Sequence, residues 1–260
     1  MLLALVVAAT GCDTMKGGHR WGADAGCPVS WKRVSQAAKK AALDPVTWIP
    51  AVGAVVFTVD DFDHRTSDWA GEHPPIFGSK KTAEHTSDVL VQSLLAETLV
   101  TALAAPSGDD LGEWGLAKGR GLLVEGGALG VVGGLTELGK TASDRMRPDG
   151  SNSESFPSGH ASVAFGAARL SNRNLDAIDL SPWVRTTLKA GNLIAASGTA
   201  WARVEARKHY PSDVLFGAAL GNFVTSFIHD GFMNLPEDST FSFRVEPSPH
   251  SFFACLSWDF

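Results

Sequence analysis

From Trp31 onward, apolar residues recur mainly at the three- and four-residue spacing of a helix face. One stripe runs from Val34 to Ala41, and Asp44-Pro45 then offers an N-cap followed by proline at the first helical position. Further helices are predicted at 46–58, after a Ser-Asp cap at 87–88, and at 119–138, 160–170, 182–202 and 211–233. The pattern predicts an all-α domain, a helical bundle, over residues 31–235.

The stretch 64–81 is polar and contains prolines, so it is predicted to be irregular or to form a short helix. None of the helical candidates holds about 18 apolar residues without a charge or a strong breaker, which is the length that a membrane span needs. We therefore expect a soluble bundle that does not cross a bilayer.

The C-terminal tail, residues 236–260, has a different pattern. Apolar and polar residues alternate on both sides of Pro247 and Pro249. This alternation predicts two short strands or an extended segment that packs on the bundle.

The first twelve residues, MLLALVVAATGC, form an apolar run that ends in small residues and a cysteine. The run resembles a lipoprotein export signal, which implies cleavage before Cys12, lipidation of Cys12 and a protein anchored to a membrane in the periplasm or cell envelope. Residues 13–30 are rich in glycine and would form the tether. The alternative is a short buried or frayed helix, since twelve apolar residues are too few to span a bilayer.

Two further cysteines lie near opposite ends of the exported chain. Cys27 and Cys255 would form either one disulfide, which suits an exported protein, or two buried thiols. The sequence leaves both alternatives open.

The charge of the chain argues against nucleic acid as a partner. Its 22 Lys and Arg residues are outnumbered by 28 Asp and Glu residues, which gives a net charge of −6, and the basic residues are scattered.

Candidate chemistry lies in three segments. In the first, Lys140 is followed by Arg147-Pro148, and Arg145 between them would add to the positive field. The second, Pro157-Ser158-Gly159-His160, leads into a predicted helix, so that Ser158 can be the N-cap and Gly159 leaves free N–H groups open to an anion. The third joins Arg203 to His209 and Asp213, which lies in the first turn of a helix and is expected to accept a hydrogen bond from His209.

Taken alone, each segment has an ordinary structural explanation, such as a basic helix end, a capped helix or a His-Asp pair that braces a helix start. In this order and at this spacing, the three resemble the signature of the type-2 phosphatidic acid phosphatase superfamily, which also contains bacterial acid phosphatases and vanadium haloperoxidases. The one departure is Ala202, where the signature has serine.

This resemblance implies a helical bundle and a metal-independent phosphatase without cofactors. His209 would attack phosphorus to form a phosphohistidine and Asp213 would orient it, while His160 would protonate the leaving oxygen and then activate water. The phosphate would be bound by five residues, Lys140, Arg147, Ser158, Gly159 and Arg203. The substrate would be a phosphate monoester or pyrophosphate, of a small molecule or a lipid.

Two other functions are compatible with the same residues. One is a vanadate-dependent haloperoxidase, because vanadate resembles the phosphoryl transition state. The other is a non-catalytic lipoprotein of the envelope that binds phospholipids.

Overall fold

The computed structural model describes residues 14–15, 18–26, 30–235, 241–248 and 251–258, the last two ranges as backbone alone. Its helices are α1 (Trp31–Leu43), α2 (Pro45–Phe57), α3 (Phe62–Glu72), α4 (Lys80–Ala104), α5 (Leu111–Ser143), α6 (Gly159–Ala177), α7 (Pro182–Glu205) and α8 (Pro211–Phe232). The predicted all-α bundle is confirmed. Cys12 and Cys27 lie outside the described residues, so the export signal, the lipidation and the disulfide stay predictions.

Helix α6 lies at the centre of the bundle and contacts α4, α5, α7 and α8. Twelve of its residues are buried, and most of these are alanine, glycine or serine. Small side chains allow helix axes to approach closely, and the contact of α6 with α8 is the most extensive in the bundle. At Gly217 of α8, an added Cβ would come within 2.7 Å of the Ser158 carbonyl oxygen.

The predicted start signals mark the helix boundaries well. Asp44 caps α2 by accepting a hydrogen bond from the Val46 amide at 2.8 Å, and proline occupies the start of α2, α7 and α8. The prediction was wrong for α4, which begins after Ser79 rather than after Ser87-Asp88. Ser79 satisfies the same capping rule eight residues earlier than Ser87, so Asp88 lies inside the helix rather than at its start.

The helices run so that their ends meet at two poles. We call one the Trp21 pole, where the buried Trp21 packs among residues at the ends of α4 and α6 and after α8. The other, which we call the motif pole, holds the starts of α6 and α8 and the ends of α5 and α7. At 1.5 Å per residue, the 19 residues of α6 separate the poles by about 28 Å.

Residues 18–26, predicted to be part of a flexible tether, instead fold against the Trp21 pole. The Trp21 ring is fully buried, donates a hydrogen bond to Asn174 Oδ1 at 2.9 Å, and lies where any side chain on Gly121 would collide with it. Met15 also packs against this cluster. An aromatic residue buried in this way fixes the segment, which glycine content alone did not indicate.

The expectation of a soluble bundle is not supported. Helices α4 and α5 are long and apolar enough to cross a membrane, and the bent pair α1–α2 adds a third candidate. Only 28% of the most apolar window of α5 is buried inside the bundle, so most of it faces outward. The prediction required about 18 apolar residues without a charge or a strong breaker, whereas the glycine-rich α5, which contains charged residues, is one unbroken helix of 33 residues.

The tail contains two strands, β1 (Phe241–Ser248) and β2 (Ser251–Trp258). They pair antiparallel, with Phe241 opposite Trp258 and Ser248 opposite Ser251. Of the two alternatives predicted for the tail, two short strands or an extended segment, the structure has the two strands.

The close approach of α6 and α8 gives a testable prediction. In Gly221→Ala, the new Cβ would overlap the Ser162 carbonyl oxygen and lie 3.0 Å from the Gly166 amide nitrogen, both backbone atoms that cannot swing aside. We expect a loss of stability of about 1–3 kcal/mol. Thermal unfolding in detergent would measure it.

Gly130→Ala is the matched control, because no atom lies within 4 Å of the added Cβ. This variant should be as stable as the parent or gain up to about 1 kcal/mol from the better helix former. Equal melting temperatures for both variants would contradict the packing argument.

Candidate active site

The motif pole brings all three predicted segments together. The end of α5 carries Lys140, and the start of α6 carries Ser158 and its neighbours. The Ser158 amide donates to the Asp213 carbonyl oxygen at 3.1 Å, and the His209 amide donates to the Arg203 carbonyl oxygen at 3.3 Å. Backbone hydrogen bonds therefore tie the second segment to the third.

The start of α6 has the geometry of an anion site. Ser158 is the N-cap and is fully buried, and its hydroxyl accepts from the Ala161 amide at 3.5 Å. The first amides of the helix have no partner within it, and the positive end of the helix dipole lies there. A Cβ added to Gly159 would be 3.9 Å from Lys140 Nζ, so this ammonium group lies beside the helix start.

The two arginines predicted to bind phosphate, Arg203 and Arg147, lie at this pole, where Arg203 is buried and Arg147 is partly buried. Arg203 is 4% exposed and donates to Ser87 Oγ at 3.2 Å, while Arg147, whose side chain is 16% exposed, forms a long ion pair of 3.8 Å with Glu154. The Nε atoms of both arginines have no hydrogen-bond partner in the described part of the chain. Buried donors are rarely left unpaired, so an anionic ligand is the natural acceptor for them.

His209 is 2% exposed, and its Nδ1 lies 2.6 Å from the Ser155 carbonyl oxygen. A carbonyl only accepts, so Nδ1 must carry the proton, and Nε2 of the neutral ring is left with its lone pair. Burial, and then the charge of Arg203, lower the pKa of His209 well below 6.5. The imidazole is therefore neutral at neutral pH and has one nitrogen ready to act as a nucleophile.

Asp213 does not make the hydrogen bond to His209 that the sequence predicted. Its Oδ2 accepts from the Tyr210 amide at 2.8 Å and from Ser155 Oγ at 2.5 Å, and its Oδ1 accepts from Arg145 at 2.6 Å. As the third residue of α8, it turns back to cap its own helix. Burial raises the pKa of Asp213 to about 6, against the opposing effect of Arg145.

His160 lies in the first turn of α6 with about a third of its side chain exposed. Its Nε2 is 2.8 Å from Asp88 Oδ1. Burial, followed by the charge of Arg203, lowers the pKa of His160, while Asp88 favours the protonated ring. A histidine that can hold a proton beside a carboxylate suits a general acid.

Sequence reasoning missed Asp88 and Ser155. Asp88 lies eight residues inside a helix and 72 positions from His160. Ser155 accepts the hydrogen bond of His209 through its backbone carbonyl. Every residue type has this group, so the sequence could not indicate the role. Among the described residues, no group of three or more His, Cys, Asp or Glu side chains is placed as metal ligands would be.

Comparison with known proteins agrees with this geometry. A model of the PAP2 superfamily matches residues 121–237, which include all three segments. The lipid A 1-phosphatase of Porphyromonas gingivalis is 38% identical over 128 residues, which are 48% of this chain and 27% of that protein. The match therefore spans about a quarter of the relative's length. No solved structure matches the chain.

The environment of His209 gives a prediction about its protonation. Histidine ¹⁵N spectra should show Nδ1 protonated and Nε2 unprotonated, with no change as the pH falls through about 6.5, because the pKa lies well below that value. The unfolded chain binds a proton near pH 6.5 that the folded His209 does not bind. This residue therefore makes the fold less stable as the pH falls through that range. A His209 titration near pH 6.5 would contradict the assignment.

Proposed function

Because residues 121–237 form a PAP2 superfamily domain, the chain belongs to the type-2 phosphatidic acid phosphatase superfamily, and we propose that it is a phosphatase that hydrolyses phosphate monoesters or pyrophosphates of lipids. The observation that carries the proposal is the neutral, buried His209 at a pole where two guanidinium groups have unused donors. A nucleophile and an oxyanion site at one place are what phosphoryl transfer requires.

In the proposed reaction, His209 Nε2 attacks phosphorus. The N–P bond forms as the bond to the leaving oxygen breaks, and His160 gives its proton to that oxygen. Water, deprotonated by His160, then attacks the phosphohistidine, and the N–P bond breaks to release phosphate. Lys140, Arg147 and Arg203, with the first amides of α6, stabilise the charge on the equatorial oxygens. The electrostatic task that a metal ion often performs is thus given to side chains and backbone, and we propose that no metal is needed.

The proposal that the substrate is a lipid rests on two observations. The similar protein of P. gingivalis is named as a phosphatase of a lipid, lipid A. In addition, the outward faces of several helices carry large apolar residues: Trp48, Ile49, Val52 and Val55 of α2, Leu99 of α4, Leu116, Leu123, Val131 and Leu138 of α5, and Ile194 of α7. Exposed apolar surface of this extent marks contact with a membrane or a partner.

We further propose that α4 and α5 cross the membrane. Their 25 and 33 residues extend about 37 and 50 Å, which exceeds the hydrocarbon thickness of about 30 Å. Between Asp88 and the end of α4 the one charged residue is Glu97, and between Glu125 and Glu137 of α5 there is none. Export and a lipid on Cys12 remain part of the proposal.

The phosphatase assignment is tested with p-nitrophenyl phosphate and a lipid phosphate as substrates. His209→Ala should lose at least about 1,000-fold in kcat because it removes the nucleophile. The parent rate should be the same in EDTA. The control is His73→Ala, at an exposed histidine directly after the end of α3, and it should keep the parent rate. Parent-like turnover by His209→Ala would refute the catalytic assignment, and loss of activity in EDTA would refute the metal-free mechanism.

The membrane assignment is tested by removing the proposed anchor. If α4 and α5 span the bilayer, Cys12→Ala should stay in the membrane fraction after an alkaline carbonate wash, because burial of two apolar helices does not depend on the lipid. Cys27→Ala controls for the loss of a cysteine. Release of Cys12→Ala, but not of Cys27→Ala, into the soluble fraction would show that the lipid alone holds the protein.

A further inference from the structure

Arg145 lies two residues beyond the end of α5, between two buried carboxylates. Its Nη1 donates to Asp213 Oδ1 at 2.6 Å and to Ser212 Oγ at 2.8 Å, and its Nη2 donates to Asp63 Oδ2 at 2.8 Å. The guanidinium carbon also lies 4.2 Å from the centre of the Tyr210 ring. This arginine is therefore committed to protein groups, unlike Arg147 and Arg203, whose Nε donors are unused.

The two carboxylates depend on this arginine. The Asp213 side chain is fully buried and that of Asp63 is 4% exposed, while Arg145 is 28% exposed. Asp63 also accepts from the Ser212 amide at 2.8 Å and from the Ser212 hydroxyl. A buried carboxylate is stable only when it is paired and hydrogen-bonded. Arg145 supplies the charge for both, and it thereby connects the start of α3 to the start of α8.

From Asp213 the connection continues to the nucleophile through a single residue. Ser155 is fixed at three atoms: its amide donates to the Arg145 carbonyl oxygen at 2.9 Å, its hydroxyl donates to Asp213 Oδ2 at 2.5 Å, and its carbonyl accepts from His209 Nδ1 at 2.6 Å. The backbone and the side chain of Arg145 thus act on the same serine, directly and through Asp213.

We propose that Arg145 and Asp63 are positioning residues, which hold Ser155 so that its carbonyl orients His209 and fixes its tautomer. This inference rests on the proposed phosphatase function for its kinetic consequences but not for its structural ones. None of the groups in the connection belongs to the set that faces phosphate. A variant that weakens the hydrogen bonds from Arg145 through Asp213 to Ser155 should lower kcat, because a small misplacement of a nucleophile slows the chemical step strongly. Phosphate binding should be unchanged.

The test compares Arg145→Lys with the parent. A lysine keeps the charge but cannot donate to both carboxylates in the forked geometry of a guanidinium. We expect kcat for p-nitrophenyl phosphate to fall about 10- to 100-fold, with the Kd for inorganic phosphate within about twofold of the parent. The ¹⁵N spectrum of His209 should change from one tautomer to a mixture.

Arg207→Lys is the matched control. Arg207 also ties α3 to the motif pole, through Asp68 at 2.5 Å and the Pro148 carbonyl oxygen at 3.1 Å, but it does not contact Ser155. It should keep the parent kcat and tautomer. If Arg207→Lys lost as much activity as Arg145→Lys, the role of Arg145 would be to hold α3 and the proposal would be wrong.

Ser155→Ala serves as the second variant, which removes one oxygen and can be used if Arg145→Lys does not fold. It breaks the bond to Asp213 and keeps the carbonyl, so the same loss of kcat and the same tautomer mixture are expected. Parent-like kcat and a single tautomer in the folded variants would overturn the proposal. The spectra need no turnover, so a parent without phosphatase activity would refute the proposed function and still leave this inference testable.

Discussion

The close crossing of α6 and α8 is the constraint on which the motif pole depends. Gly217 and Gly221 of α8 leave no room for a Cβ against the backbone of α6. At this spacing, the capped start of α6 lies beside the start of α8, and the Ser158 amide reaches the Asp213 carbonyl oxygen. A wider crossing would separate the anion site from His209. Packing between small residues in the core therefore sets the distance between the two halves of the site.

The arginines of the motif pole have two different roles, either binding an anion or stabilising buried carboxylates, and the partners of each side chain decide which. Burial, and then the charge of Arg203, lower the pKa of His209 and keep it neutral, while Arg203 retains an unused donor. The same positive field that attracts a phosphate thus adds to the effect of burial in keeping the nucleophile unprotonated. Arg145, two residues before Arg147 in the chain, is instead paired with Asp63 and Asp213, which neutralise its charge. Proximity in sequence did not separate Arg145 from Arg147, whereas the partners of each side chain do.

Sequence predicted the parts of the fold and site that local rules control. Helix starts at Pro45, Pro182 and Pro211 follow from capping and proline chemistry, and the resemblance of the three segments to the superfamily signature implied that they converge. Contacts between segments that are distant in the chain could not be predicted from the sequence. Asp88 pairs with a residue 72 positions away, and Ser155 acts through its backbone, which no residue type reveals. The sequence did not indicate that α5 is long and apolar enough to cross a membrane, because the prediction required an apolar run without charges and α5 carries Glu125 and Glu137.

The two poles also limit how a lipid anchor and a lipid substrate can combine. Met15 packs at the Trp21 pole, and Cys12 lies three residues earlier in the sequence. A lipid on Cys12 would therefore hold the Trp21 pole at a membrane surface. With the poles about 28 Å apart, a bundle held by that lipid alone would place His209 far from the headgroups. If α4 and α5 cross the bilayer as proposed, the motif pole lies near a headgroup layer, so a lipid substrate and spanning helices support each other.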